Sequence, residues 1–135
     1  MLKIKEFHSE LNAFEVYNLF KNQKNSILLD SSKEDKNLSK YSFIGINEFM
    51  IFETMQSKSY IDGREVKGDP FNSLEDLINK YKYNLNSDIP FLSGAIGYIS
   101  YDAGRMLEEL PDTSKEDFSI PDIRFIFYKN IIKIK

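Results

Sequence analysis

The sequence contains no cysteine and only one histidine, His8. Without cysteine, neither a disulfide nor a thiolate metal site can form, and a cytoplasmic setting is expected. A Ser-His-Asp hydrolase is disfavoured, because His8 is the only imidazole and no nucleophile-elbow pattern surrounds Ser31 or Ser32. Long apolar runs are also absent, so we predict neither a membrane-spanning helix nor a signal peptide.

The sequence also has no excess of positively charged residues. The 135 residues include 18 Lys and Arg and 21 Asp and Glu, which gives a net charge of −3. The lysines alternate with acidic residues and form no basic block, so we expect no nucleic-acid partner and no anionic membrane surface. With 41% hydrophobic and 29% charged residues, the composition is typical of a globular protein. We predict a single domain over residues 1–135.

The hydrophobic periodicity predicts an α+β fold with mainly antiparallel strands, arranged as two sheets beside a few helices. Two helices have start signals: Asn12 with Glu15 in capping-box register, and Asp69 followed by Pro70. The first helix is predicted to end near residue 22. The other predicted elements are strands at 2–7, 26–30, 41–55 and 92–101, a hairpin about Asp62-Gly63, a short helix at 103–110, and two consecutive strands within 121–135.

One stretch, PFLSGAIGYISYDAGRMLEELP at 90–111, concentrates glycine, tyrosine and aspartate. It is not a phosphate loop, because it lacks both the G-K-[ST] ending and the GxGxxG spacing. We predict that Gly94, Gly97 and Gly104 allow a strand and a short helix to approach a neighbouring element closely. Glu108 and Glu109 are adjacent on the predicted helix and therefore diverge, so they do not form an acid/base pair.

The same stretch is similar to a signature in the N-terminal domain of component I of anthranilate synthase and of aminodeoxychorismate synthase. Three further blocks agree in the same order: LLDSS at 28–32, SKYSFIG at 39–45 and IPDIRFIFY at 120–128. The four blocks cover nearly the whole chain. The Y-D-x-G-R form, Tyr101 to Arg105, resembles the aminodeoxychorismate branch more than the anthranilate branch, so the sequence favours aminodeoxychorismate synthase component I.

This resemblance implies a two-sheet α+β domain that joins a larger C-terminal chorismate-binding domain. The catalytic residues and magnesium ligands of the family lie in that C-terminal domain, which we expect to be absent from these 135 residues. We therefore expect no catalytic, cofactor or metal site in this chain, and no turnover of chorismate by it alone. The whole enzyme would aminate chorismate for p-aminobenzoate and folate synthesis, with magnesium and with ammonia from a glutamine amidotransferase subunit.

The resemblance also implies part of an L-tryptophan pocket. The matching positions are Ser31, from the L-L-x-S block, and Leu38, Ser39, Lys40 and Tyr41. A hydroxyl and nearby backbone groups can bind the ammonium and carboxylate of the ligand, while an apolar slot takes the indole ring. The alternative is that Ser31 and Ser39 only cap and turn the loop.

Two other functional interpretations stay open. Component I of anthranilate synthase differs in its product, and there the same pocket would serve feedback inhibition by tryptophan. A stand-alone ligand-binding module would have the family fold without a catalytic partner.

Overall fold

The computed structural model describes residues 2–31, 41–84, 88–106 and 120–135. In chain order, its elements are α1 Ala13–Asn18, β1 Ile27–Leu29, β2 Ser42–Met55, β3 Lys58–Ile61, β4 Arg64–Val66, α2 Pro70–Tyr81, β5 Ala95–Ile99, a 3-10 helix Tyr101–Met106, and β6 Ile123–Ile134. The six strands form a sheet of order β4-β3-β2-β6-β5, with β1 paired to β2. The predicted α+β class with mainly antiparallel strands is confirmed.

The described strands belong to one sheet, where the sequence indicated two. The reason lies in β2, which is 14 residues long and takes different partners along its length. Its residues 43–45 pair antiparallel with β1, and its residues 52–55 pair antiparallel with β3. A strand of this length connects sets of strands that would otherwise form separate sheets.

The chain divides into two compact units. The first comprises residues 1–49, 83–93 and 128–135, and the second comprises residues 50–82 and 94–127. Both units contain part of β2 and part of β6.

The core of the second unit lies where α2 packs against strand residues. Its fully or almost fully buried members are Met50, Phe52, Leu74, Ala103, Ile123 and Phe127. The ring of Tyr81 meets that of Phe127 edge-on, with centroids 5.7 Å apart. Helix α2 begins as predicted: Pro70 is its first residue, and the Asp69 carboxylate accepts a hydrogen bond of 2.9 Å from the Asn72 amide.

The predicted hairpin at Asp62-Gly63 is confirmed. Both residues have positive φ, 49° and 81°, which suits the type I′ turn that joins β3 to β4. In the preceding hairpin, which joins β2 to β3, Thr54 and Ser59 stand directly opposite each other. Their side chains are 0% and 1% exposed, and their hydroxyl oxygens lie 3.2 Å apart in a hydrogen bond. Each buried hydroxyl therefore has the other as its partner.

In the first unit, the capping box of α1 is confirmed in both directions. The Asn12 side chain accepts from the Glu15 amide at 3.0 Å, and the Glu15 carboxylate accepts from the Asn12 amide at 2.8 Å. The helix ends at Asn18 and not near residue 22, and turns follow it. None of its residues is fully buried, so little packing supports a longer helix.

The predicted strand at residues 2–7 is wrong. Residues 2–9 have no regular secondary structure, and Phe7 is 82% exposed. Alternating polarity gives a segment two faces, but a strand also requires a neighbour for its backbone groups. The alternation in 2–7 carries no information about such a neighbour.

The glycines of the 90–111 stretch behave differently from one another. A Cβ on Gly97 would lie 1.8 Å from the Arg124 carbonyl oxygen of β6, which confirms the predicted close approach. A Cβ on Gly104 would meet no atom of the described residues within 4 Å, so the close contact predicted there is not found in the described part of the chain. Gly94 has a φ of 129°, a conformation that favours glycine.

The remaining boundaries also differ. The strand predicted at 92–101 is the shorter β5, and the two strands predicted within 121–135 are the single strand β6. The helix predicted at 103–110 is a 3-10 helix from Tyr101 to Met106 as far as the described residues extend. The predicted divergence of Glu108 and Glu109 lies outside the described residues.

Candidate ligand pocket in the first unit

The pairing of β1 with β2 brings two predicted site residues together. Leu29 pairs with Phe43 in this antiparallel ladder. Continuing the register beyond β1 sets Asp30 against Ser42 and Ser31 against Tyr41. The Ser42 hydroxyl indeed donates a hydrogen bond to the Asp30 carboxylate. Ser31 and Tyr41, ten positions apart in the sequence, therefore meet at the end of the β1–β2 pair from which residues 32–40 connect the two strands.

A cavity of about 240 Å³ lies at this position. Tyr41 and Ile134 contribute apolar surface, and Ser31 contributes a hydroxyl. The described residues that line it are Leu11, Asn12, Ala13, Ser31, Tyr41, Ser42, Ile134 and Lys135. Four of these eight residues are polar, so the lining is more polar than the mainly apolar wall of a usual small-molecule site. The volume is slightly below the roughly 300–1,000 Å³ typical of such sites, so a bound ligand would be only partly enclosed by these residues.

A row of aromatic rings extends from the cavity. Tyr41 and Phe43 are tilted against each other with centroids 6.4 Å apart, and Phe43 meets Phe91 edge-on at 5.6 Å. The Lys133 ammonium lies over the Tyr41 ring, 4.3 Å from its centroid, in cation–π geometry. The Tyr41 ring, which lines the cavity, is thus also in contact with Phe43 and Lys133.

The second unit has a separate group of polar side chains around Tyr98. Tyr98 stands opposite Arg124 in the β5–β6 pair, and Arg124 lies 3.5 Å from the Glu53 carboxylate. Burial raises the pKa of the Tyr98 phenol above its ordinary value, and the charge of Arg124 opposes this effect. Tyr98 is 40% exposed and lines no part of the cavity.

The described residues contain no group of three or more His, Cys, Asp or Glu side chains that could hold a metal ion. Among these same residues, none of the helices has the length and apolar character needed to cross a membrane.

Of the five predicted tryptophan-site residues, Ser31 and Tyr41 line the cavity. Leu38, Ser39 and Lys40 lie outside the described residues. No sequence signal indicates Leu11, Ala13, Ile134 or Lys135 as site residues, because they reach the cavity through tertiary packing. Asn12 was recognised as a helix cap, and this role alone does not indicate a position beside a cavity.

Comparisons with known proteins extend these observations. No protein-family model matches the sequence. Anthranilate synthase component 1 of Acetivibrio thermocellus is 32% identical over 111 residues, which are 78% of this chain and 22% of that protein. Aminodeoxychorismate synthase component 1 of Escherichia coli K12 is 26% identical over 109 residues, which are 76% of this chain and 24% of that protein. Most of the curated relatives are named anthranilate synthase component 1.

The fold has a counterpart among solved structures. The crystal structure of anthranilate synthase component I from Streptococcus pneumoniae TIGR4 matches with a TM-score of 0.64 at 23% identity, over 98% of this chain and 29% of that one. The chain spans less than a third of the length of the curated relatives that it matches. These similarities support the component I family of anthranilate and aminodeoxychorismate synthases for this chain, and they do not favour the aminodeoxychorismate branch.

Proposed function

We propose that this chain is the N-terminal, non-catalytic part of a component I synthase and that its cavity holds part of an L-tryptophan molecule. The observation that carries this proposal is the meeting of Ser31 and Tyr41 at one cavity. The two residues were selected on sequence similarity alone, and the β1–β2 register gives an independent physical reason for their proximity.

The chemistry of the lining suits an aromatic amino acid. Tyr41, Leu11 and Ile134 offer apolar surface to an indole ring. Ser31, Asn12 and Ser42 offer polar groups to the ammonium and carboxylate of the ligand. A cavity of about 240 Å³ takes only part of such a ligand, so the rest of a longer component I would supply the opposite wall.

The role of the whole protein is part of this proposal. A full-length component I would aminate chorismate with ammonia from a glutamine amidotransferase, the second component that the name of the relatives implies. The magnesium ligands would lie in the C-terminal chorismate-binding domain. A cytoplasmic location remains an expectation from composition.

The product remains a choice between two branches. The Y-D-x-G-R motif favours aminodeoxychorismate, whereas most of the curated relatives favour anthranilate. A full-length component I that contains this chain, incubated with chorismate, ammonia and magnesium, distinguishes the branches by its product. Inhibition of that reaction by tryptophan would point to the anthranilate branch, in which the pocket serves feedback.

The pocket itself is tested by titrating this chain into L-tryptophan. The chain contains no tryptophan, so the indole fluorescence of the ligand is observed without background from the protein when it is excited beyond the tyrosine absorption. We expect the fluorescence anisotropy to rise saturably. Ser31→Ala should weaken binding roughly three- to tenfold, the loss of one hydrogen bond.

Ser73→Ala in the second unit serves as the matched control, because Ser73 lies on α2 and not at the cavity. It should leave binding unchanged. Equal anisotropy with and without the wild-type chain, up to millimolar protein, would contradict the proposed pocket. The remaining alternative, a stand-alone binding module, predicts the same titration but no chorismate-dependent product from any longer protein.

A further inference from the structure

Among the described residues, Lys133 has a charged side chain that contacts the aromatic wall of the cavity. Its ammonium lies 4.3 Å from the centroid of the Tyr41 ring, and Tyr41 lines the cavity. The two residues that follow it in the chain, Ile134 and Lys135, line the cavity directly. The backbone of β6 therefore runs along the side of the cavity, and Lys133 approaches it over the Tyr41 ring.

The acidic and basic side chains around the cavity differ in whether they form hydrogen bonds within the protein. Two acidic side chains near it are engaged within the protein: the Asp30 carboxylate accepts from Ser42, and the Glu15 carboxylate accepts from the Asn12 amide at 2.8 Å. Both positive charges at this end of β6, those of Lys133 and Lys135, belong to long and flexible side chains. Asp30 and Glu15 keep their negative charges, but their oxygens already accept hydrogen bonds within the protein. Among the described residues, the ammonium groups near a carboxylate in the cavity are that of Lys135, which lines the cavity, and that of Lys133, which lies over the Tyr41 ring.

We infer that Lys133 determines specificity for a carboxylate in the ligand, by moving its ammonium from the Tyr41 ring to that carboxylate when the ligand binds. A charge-assisted hydrogen bond to a carboxylate is stronger than a cation–π contact at a half-exposed site. The flexible alkyl chain of Lys133 allows its ammonium to move in this way without a change of the backbone. The inference rests on the proposed function, because it assigns the residue that recognises one end of the amino-acid ligand.

The test compares three ligands that share an indole ring. L-tryptophan has both a carboxylate and an ammonium group, tryptamine lacks the carboxylate, and indole-3-propionate lacks the ammonium group. Their affinities for the wild-type chain, Lys133→Gln and Lys133→Arg are measured by indole fluorescence anisotropy. Lys129→Gln is the matched control, because it removes one positive charge from an exposed position on the same strand.

We expect Lys133→Gln to weaken binding of L-tryptophan and indole-3-propionate roughly three- to tenfold and to leave tryptamine unchanged. Lys133→Arg should restore most of the affinity, since it keeps the charge. An equal loss for all three ligands would show that Lys133 only supports the Tyr41 ring, and would overturn the inference. So would unchanged affinities in Lys133→Gln, which would leave Lys135 as the carboxylate partner.

The failures of the two proposals are distinguishable. If the wild-type chain binds L-tryptophan but Lys133→Gln binds it equally well, the pocket stands and the inference fails. If indole-3-propionate binds in a Lys133-dependent way but L-tryptophan does not bind, the inference stands and the tryptophan pocket fails. If none of the three ligands binds the wild-type chain, both are refuted.

Discussion

Gly97→Ala should disrupt the pairing of β5 with β6. The new methyl carbon would lie 1.8 Å from the Arg124 carbonyl oxygen and 2.7 Å from both the Arg124 carbonyl carbon and the Phe125 Cα, all backbone atoms. Real Cβ atoms stay at least 3.0 Å from such neighbours, so the strands must separate locally by about 1.2 Å, the difference between 3.0 and 1.8 Å. Backbone hydrogen bonds near 2.9 Å do not survive such a shift.

The magnitude follows from what the separation exposes. Overpacking alone costs about 1–3 kcal/mol. Ile96, which is 5% exposed and adjoins Gly97 on β5, contributes up to about 1.5–3 kcal/mol by its burial. We expect Gly97→Ala to lower the free energy of unfolding by about 3 kcal/mol or more, a large share of the roughly 5–15 kcal/mol typical of a domain.

Gly104→Ala is the matched control, since the same methyl group would meet none of the described residues within 4 Å. It should leave stability unchanged or raise it by up to about 1 kcal/mol, because alanine suits a helical backbone better than glycine. Urea unfolding followed by far-UV circular dichroism measures both variants against the wild type. A Gly97→Ala variant within about 0.5 kcal/mol of the wild type, with the same dependence on urea, would refute the reasoning.

Three further predictions concern the core, the first helix and alkaline pH. Phe52→Ala removes a ring that is 0% exposed and should cost about 3–5 kcal/mol in urea unfolding; a cost below about 1 kcal/mol would mean that the ring is not part of the core. Asn12→Ala removes one half of the capping box and should cost about 1 kcal/mol, with faster hydrogen exchange at the Glu15 amide; unchanged exchange there would count against the cap. Burial raises the pKa of Tyr98 above its ordinary value of 10.0, so the folded state favours the neutral phenol. The stabilising contribution of this phenol is present below pH 10 and is lost as the pH rises through the folded-state pKa. Tyr98→Phe should therefore lose less stability than the wild type between pH 9 and pH 12, and equal losses would contradict the shift.

Sequence signals predicted the structure correctly where a conformation depends on residues that lie close together in the chain. The turn at Asp62-Gly63 needs two residues with positive φ, and the sequence supplies the residue types that adopt it. The starts of α1 and α2 depend on hydrogen bonds between residues three positions apart, at Asn12 and Asp69. Such contacts are visible in the sequence because both partners lie within one turn.

Predictions that depend on partners distant in the sequence were correct in some places and wrong in others. Gly97 and Gly104 belong to the same stretch, but within the described ranges Gly97 faces a neighbouring backbone and Gly104 does not. Residues 124–125 supply the neighbour of Gly97. The segment 2–7 alternates in polarity as a strand does, yet whether it pairs depends on partners elsewhere in the chain. Nothing within either segment encodes this information.

The residues that line the cavity also divide into those that the sequence could predict and those that it could not. Ser31 and Tyr41 were found because sequence blocks carry them, and they meet because the β1–β2 register continues past the ends of the strands. Ile134 and Lys135 could not be found, because the sequence was interpreted as two strands over 121–135. The single strand β6 carries these residues to the cavity only because it continues without a break to Ile134.

The Thr54 and Ser59 pair restricts how this sequence can change over evolutionary time. Replacing one of the two buried hydroxyl groups by a methyl group leaves the other without its partner, a cost of about 1–3 kcal/mol. Replacing both by apolar side chains of similar shape removes the cost together with the bond. The two positions stand opposite each other on neighbouring strands, only five residues apart. Among relatives that keep the β2–β3 hairpin, the two positions should therefore be polar together or apolar together. The stability lost by a variant with one change should be restored by the second change.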